Sequence, residues 1–285
     1  MGSASPVVAA WELGVRLRER RDLAGLTSTR AAKHARCTQG YISDVERGNT
    51  RIGSEKLELL LKAYQVDPEE ADELRALREE VNRRGWWQEY SGILDPTVLR
   101  MFGLEHGAET VRAHESLLIY GLLQTEEYAH ALGGGSAIFR SADMRPRMAA
   151  RMLRQQRLDG DDPLRLSVVM SEGALHQEVG GRAVLGRQLR HLVEMVERHP
   201  DTVDVRVVPF SIGRFGTLGV GTFHLFEFPS PRLPPLLYQE SVSYAELIDR
   251  PPVVRDYAVA FEDGQRVALS AEDSRAVIRR TEKEL

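Results

Sequence analysis

From Trp11 to Val81 the apolar residues recur at helical spacing, and the breaks fall so often that only a bundle of short helices fits. Leu13, Leu17 and Leu23 with Ala24 form one stripe, which Gly25 ends where a left-handed residue is cheap. Thr27 stands as the N-cap of a second helix whose Ala31, Ala32 and Ala35 permit close packing. A third helix runs from Thr38 with Ile42 and Val45 inward and Gly48 at its end; a fourth opens at Ser54 with Leu57, Leu60, Leu61 and Tyr64 inward. Asp67-Pro68-Glu69-Glu70 starts a fifth, because Asp caps, Pro suits the first helical position and Glu70 can close a capping box. Arg83-Arg84-Gly85-Trp86-Trp87 interrupts the pattern, so the spacing predicts a helical domain over 12–82 and a second domain over 86–285. Two adjacent tryptophans cannot share one face of an element, so one is expected to pack into each neighbouring surface.

The second region reads differently. Residues 104–119, 125–132 and 143–158 suggest helices, with a turn at Tyr120-Gly121 and a mobile loop at Gly133-Gly134-Gly135-Ser136. Leu164, Leu166, Val168 and Met170 alternate like a strand, 182–199 is an amphipathic helix, and Val203, Val205 and Val207 alternate again. Strand, helix, strand at that spacing predicts a parallel crossover. Phe223–Phe228 and Leu236–Glu240 suggest two more strands joined by a proline-rich turn, and helices over 252–263 and 271–282 close the sequence. The expected fold is therefore multidomain: an all-α N-terminal part and an α/β part with a small mixed sheet.

Charge separates the two regions as well. Residues 11–66 carry 11 Lys and Arg against 7 Asp and Glu, whereas 67–80 carry 2 against 7, on a chain whose net charge is -4. A basic module on an acidic chain suggests a polyanion partner for that module, a solvated helix face being the plainer alternative. With 42% hydrophobic and 28% charged residues the composition is that of a soluble globular protein, and no apolar run reaches the length of a membrane helix. No signal peptide is evident, so a cytoplasmic location is expected. The single cysteine, Cys37, excludes an internal disulfide and a cysteine-based zinc site.

Between Leu26 and Gly48 lie a short helix, a three-residue turn near His34-Ala35-Arg36, and a second helix with polar residues at its start. That is helix-turn-helix geometry, in which the second helix enters the major groove. Leu17-Arg18 with Arg21, Gly25-Leu26-Thr27 and above all Tyr41-Ile42-Ser43-Asp44-Val45-Glu46-Arg47-Gly48 resemble the phage-repressor-like, or Xre-type, DNA-binding family. The resemblance covers residues 12–66 and implies double-stranded DNA as partner. It places Thr38, Gln39 and Gly40 at the DNA-contacting start of the recognition helix, Ser43 and Asp44 one turn on, Ser28 at the start of the preceding helix, and Arg51 near a phosphate. Gln39 has the amide for a bidentate adenine contact. Arg21 and Glu46 match a structural pair of that family, and Cys37 its apolar turn residue. Arg36 departs from the pattern, standing where glycine is frequent; Ser28 departs from a frequent glutamine.

A second resemblance rests on Trp86-Trp87, Ile119-Tyr120-Gly121-Leu122-Leu123-Gln124-Thr125 with Tyr128-Ala129, Ser171-Glu172-Gly173-Ala174-Leu175, Gln188-Leu189, Val207-Val208-Pro209-Phe210, and Ala268-Leu269-Ser270 with Ser274. These are similar to the domain of unknown biochemical function that follows an Xre-type domain in regulators of GC-rich, antibiotic-producing bacteria. That association implies a transcription regulator, often encoded beside a small acidic partner protein. No Walker loop, His-Glu-x-x-His helix or Gly-x-Ser-x-Gly elbow is present, and the histidines lack metal spacing, so no catalytic residue, metal or cofactor is expected. Gln124, Thr125, Tyr128 and Glu172 are the polar groups first placed near a ligand or partner pocket, the plainer reading being caps and hydrogen bonds to buried backbone. The expected protein is a homodimer, associating mainly through its second domain, that senses a small-molecule effector or a partner protein. The alternative is an antitoxin-like or anti-regulator interaction module controlling its own operon.

Overall fold

A computed structural model describes residues 5–134, 143–241 and 245–285. Five helices open the chain: α1 (Pro6–Leu23), α2 (Ser28–His34), α3 (Gln39–Glu46), α4 (Ser54–Ala63) and α5 (Pro68–Asn82). Their starts follow the capping logic of the sequence. Thr27, Thr38 and Asp67 each accept from a backbone N–H three residues on, whereas α4 is preceded by Gly53 and has no side-chain cap bond. Leu13, Leu17, Ile42, Val45, Leu57, Leu60 and Leu74 fill the core of this bundle. Trp86–Tyr90 forms a 3₁₀ turn in which only Trp87 is buried, the two indoles meeting edge to face at 5.7 Å.

The chain divides into two compact units. The first takes the chain up to Gln88 together with Gly103–Gly107 and Phe228–Leu233; the second takes Glu89–Phe102, Ala108–Glu227 and Pro234–Leu285. Two short segments from the region expected as the second domain thus belong to the first unit. There Phe228 packs edge-on to Trp11 at 5.2 Å, and Trp87 lies 5.3 Å from the His106 ring.

The second unit is built on a six-stranded mixed sheet in the order β3-β2-β1-β4-β5-β6, with β1 (Thr110–Glu115), β2 (Arg165–Ser171), β3 (Val203–Val208), β4 (Phe223–Glu227), β5 (Leu236–Glu240) and β6 (Ala245–Ile248). β1, β2 and β3 are mutually parallel; β4, β5 and β6 run antiparallel to their neighbours. The parallel pairing of β2 and β3 around α9 (Arg182–Arg198) is the expected crossover. The helix expected over 104–119 is not formed. Helix α6 (Pro96–Gly107) ends at its beginning, and Thr110–Glu115 is an interior strand between β2 and β4, in which Val111 and Ala113 are buried and alternate with the partly buried Thr110 and Arg112. Strand β6 was not anticipated either, being only four residues long.

One face of the sheet, through Val169, Val208, Phe223, Leu225, Leu237 and Ile248, packs on α10 (Pro251–Val267) and on Ile212, Phe215 and Val220 of the β3–β4 connection. On the other face Tyr120 sets its ring edge-on to His224 at 4.8 Å, bringing the β1–β2 connection with α7 (Glu126–Gly134) and α8 (Met144–Arg154) to that side. Helix α11 (Ala271–Glu284) shields the β3 edge, where the Ser274 hydroxyl accepts from Val207 N at 3.0 Å. In the proposed Gly133–Ser136 loop, Gly133 and Gly134 are the end of α7, and Gly135 and Ser136 lie outside the described residues.

Candidate nucleic-acid interface

The turn between α2 and α3 depends on a residue in an unusual conformation. Arg36 adopts φ 54, the left-handed region, without the relief glycine would give. Cys37 N then returns to Ala32 O at 3.0 Å and closes the turn. Cys37 is half-buried, and burial pushes its thiol pKa up, consistent with packing and not with a thiolate.

Two glycines let α1 approach α3. A Cβ on Gly14 would fall 2.4 Å from Val45 O, and one on Gly48, which also has φ 68, would fall 2.7 Å from Trp11 Cα. Arg21 locks the crossing. Its Nε and Nη2 donate to the two carboxylate oxygens of Glu46 at 2.6 and 3.0 Å, and its Nη1 donates to Leu26 O at 2.9 Å. The carboxylate bond raises the Arg21 pKa.

Inside this frame the positive charge of residues 14–36 divides in two. Arg16 donates to Glu73 at 2.5 Å and to Glu70 at 3.4 Å, Arg20 also pairs with Glu70, and Arg21 is held by Glu46. Glu70 therefore does not complete the capping box; its carboxylate faces α1 instead. Arg30, Lys33 and Arg36 are exposed and carry no ion pair among the described residues. Arg18 is exposed on α1 within 4.0 Å of Asp22, so the outward charge without an ion pair among the described residues of this stretch lies on α2 and the turn, flanking the start of α3.

The residues expected to meet DNA are gathered there. Thr38, Gln39, Gly40 and Arg51 are exposed, and Ser28, Ser43 and Asp44 are partly so. Thr38 uses its hydroxyl to accept from Tyr41 N at 3.1 Å, which leaves its O–H free to donate. The Gln39 Nε2 donates to Ser28 Oγ at 3.3 Å and to Ser43 Oγ at 3.1 Å, so three of the expected contact residues form one hydrogen-bonded set across α2 and α3. In this arrangement Oε1 is the group left over, and a bidentate adenine contact requires one N–H bond to be released. Asp44 accepts from Arg47 Nη2 at 2.8 Å, which lessens its repulsion of phosphate. A Cβ on Gly40 would meet nothing nearer than Thr38 Oγ1 at 4.0 Å; packing therefore does not demand glycine here. The Arg51 carbonyl accepts from Tyr41 OH at 3.2 Å, fixing the loop that displays its guanidinium. The basic density of residues 14–36 includes Arg36, Arg30 and Lys33, but density alone does not separate these exposed cations from Arg16 and Arg21, which face carboxylates.

In the second unit Gln124, Thr125 and Tyr128 come together and Glu172 does not join them. Gln124 is buried, its Nε2 donating to Ile119 O at 2.7 Å and its Oε1 accepting from Arg151 at 2.6 Å. Thr125 N donates to Gln188 Oε1 at 2.7 Å, its hydroxyl accepts from Tyr128 N, and the fully buried Tyr128 accepts from Ile119 N. Glu172 lies beyond the end of β2, accepting from Phe210 N at 2.7 Å. Among the described residues no cluster of His, Cys, Asp and Glu could hold a metal, and no helix is long and apolar enough to cross a membrane.

The pattern of a helix-turn-helix domain matches residues 12–74, covering the bundle from α1 into α5. A second family pattern, the domain of unknown function DUF5753, matches residues 98–280, which contain the whole six-stranded sheet. The chain belongs to the DUF5753 family. No curated protein matches it. This DUF5753 protein carries its family domain behind a DNA-binding helix-turn-helix domain, the arrangement of a DNA-binding regulator.

Proposed function

We propose that the protein is a sequence-specific transcription regulator of Xre type that binds double-stranded DNA as a cytoplasmic homodimer, its DUF5753 domain sensing a small molecule or a partner protein. The reading makes it a binding protein and not an enzyme. What supports it most is the sorting of charge around α3: the inward arginines Arg16, Arg20 and Arg21 are held by carboxylates, while Arg30, Lys33, Arg36 and Arg51 stay exposed around Thr38, Gln39 and Gly40. Outward cations supply phosphate contacts and the helix start supplies base contacts. A dimer would place two such helices in half-sites about one helical turn apart.

Genome-wide mapping of bound sites followed by titration on one such site tests this. Arg51→Ala is expected to weaken binding to every sequence and to lower the salt slope by about one. Gln39→Ala is expected to relax preference at one or two base pairs and leave the slope unchanged. Equal loss on all sequences for Gln39→Ala would remove it from base reading, and absence of DNA binding by the full chain at low salt would overturn the proposal.

A further inference from the structure

The connections leaving the parallel strands of the DUF5753 sheet part company at one point. The chain leaving β1 crosses to the face where Tyr120 meets His224, and α9, which follows β2, lies with it: Gln188 on α9 donates to Leu123 O at 2.7 Å. The chain leaving β3 crosses to the opposite face, where Ile212, Phe215 and Val220 pack with α10. Connections that diverge to opposite faces open a crevice outside the carboxyl ends of the strands, the general position of ligands in open α/β sheets.

The residues at this crevice are unlike the rest of the surface. Leu117, Gly173 and Phe210 follow β1, β2 and β3 in turn, and Leu117 and Phe210 are 55% and 66% exposed. They meet over Gly173, whose Cβ position is 3.4 Å from Ser171 Oγ, 3.6 Å from Leu117 Cδ2 and 3.8 Å from Phe210 Cε1. Gly173 has an ordinary backbone conformation, so the missing side chain serves space and not strain. The His176 ring stacks on Phe210 at 5.9 Å and 27°, adding a second ring to the patch. Beneath it one oxygen of Glu172 accepts from Phe210 N, and the other lies 3.9 Å from His176 Nε2. Apolar walls, an aromatic platform and one carboxylate are therefore assembled at a glycine floor.

We propose that this crevice is the ligand site of the DUF5753 domain and takes a small aromatic molecule of one or two rings bearing a positive charge or a hydrogen-bond donor. The ring stacks against Phe210 over Gly173, and the charged or donor group faces Glu172. The carboxylate disfavours an anionic ligand with the same ring. The inference deepens the sensing part of the proposed function, but binding itself does not require DNA, so the two stand or fall separately.

Tryptamine, indole-3-acetate and hexylamine separate the contributions of ring and charge when titrated by calorimetry into the full chain without DNA. Tryptamine is expected to bind with a Kd of about a millimolar or below, the range open to a ligand of its size. Indole-3-acetate is expected to bind at least about tenfold more weakly, the scale of a charge-assisted contact, and Glu172→Gln to narrow that gap. Gly173→Ala places a methyl at ordinary contact distance from its neighbours; it should keep the wild-type melting temperature and lose tryptamine binding, as should Phe210→Ala. Three outcomes overturn the site: no binding of tryptamine at ten times the expected Kd, equal binding of hexylamine, or unchanged binding in both variants. A change of oligomeric state in sedimentation of Phe210→Ala also overturns it, by showing the patch to be a subunit interface. Tryptamine binding that leaves DNA affinity unchanged upholds the site and removes only the sensing role.

Discussion

Arg21 grips Glu46 through two parallel N–H···O bonds of 2.6 and 3.0 Å, twenty-five residues apart in sequence and nearly buried, with side-chain exposures of 11% and 9%. The pair joins the last turn of α1 to the end of α3, and Arg21 also satisfies Leu26 O in the intervening turn. Orientation of the helix that would enter the groove is therefore set by a charge pair and not by apolar packing alone. Removing one member leaves the other charge poorly solvated, a loss of about 3 kcal/mol. Arg21→Ala and Glu46→Ala are each expected to destabilise by that order in urea denaturation, and the double variant by far less than their sum. Additive losses would mean the two residues act independently.

Arg36 holds a left-handed backbone at φ 54. Glycine adopts that conformation without the steric cost of about 1 kcal/mol that a Cβ incurs there, though its unfolded chain is freer. Arg36→Gly is therefore expected to raise stability by about 0.5 kcal/mol while lowering DNA affinity through loss of an exposed cation, two effects of opposite sign. Denaturation and DNA titration of the same variant check both. A destabilised Arg36→Gly would show that the side chain contributes a contact stronger than the strain.

Much of this was legible in the sequence because the signals were local. Thr27, Thr38 and Asp67 declared their helix starts, and Arg21 with Glu46 was identified through the resemblance. What stayed hidden depends on partners distant in sequence. Thr110–Glu115 alternates over only five residues, with an arginine and a histidine among them, and it becomes a strand by pairing with β2 and β4, 50 and more positions later. Glu70 fits a capping box by spacing, yet Arg16 and Arg20 of α1 bind its carboxylate. Leu117 and Phe210 look like ordinary apolar residues until the sheet order brings them together over Gly173.

Gly40 lies in the first turn of α3, with room around its Cα and no positive φ. Gly40→Ala should thus leave the fold intact or stabilise it by up to about 1 kcal/mol, since alanine is the better helix former. If the backbone of α3 lies against DNA, the added methyl is expected to weaken operator binding at least several-fold without lowering stability. Equal affinity of Gly40→Ala and wild type would place the closest approach elsewhere on the helix.

His114 gives the second unit a pH dependence of definite sign. It sits on β1 with 2% exposure, its ring against Phe223 at 5.5 Å and its Nδ1 without a partner among the described residues. Burial pushes its pKa down from 6.5 to about 4, a backbone hydrogen bond with Val169 acting in the opposite sense. The unfolded chain therefore takes up this proton first. Stability is complete above pH 6.5 and declines as the pH falls toward 4, by about 1.4 kcal/mol per unit at most and about 3 kcal/mol in total. His191, also lowered by burial, adds to the same trend, so the measurement is a difference between proteins. Urea denaturation of wild type and His114→Gln at pH 7.5 and pH 5 should show the wild type losing more stability between the two. If both proteins lost the same amount, His114 would not be the residue that titrates.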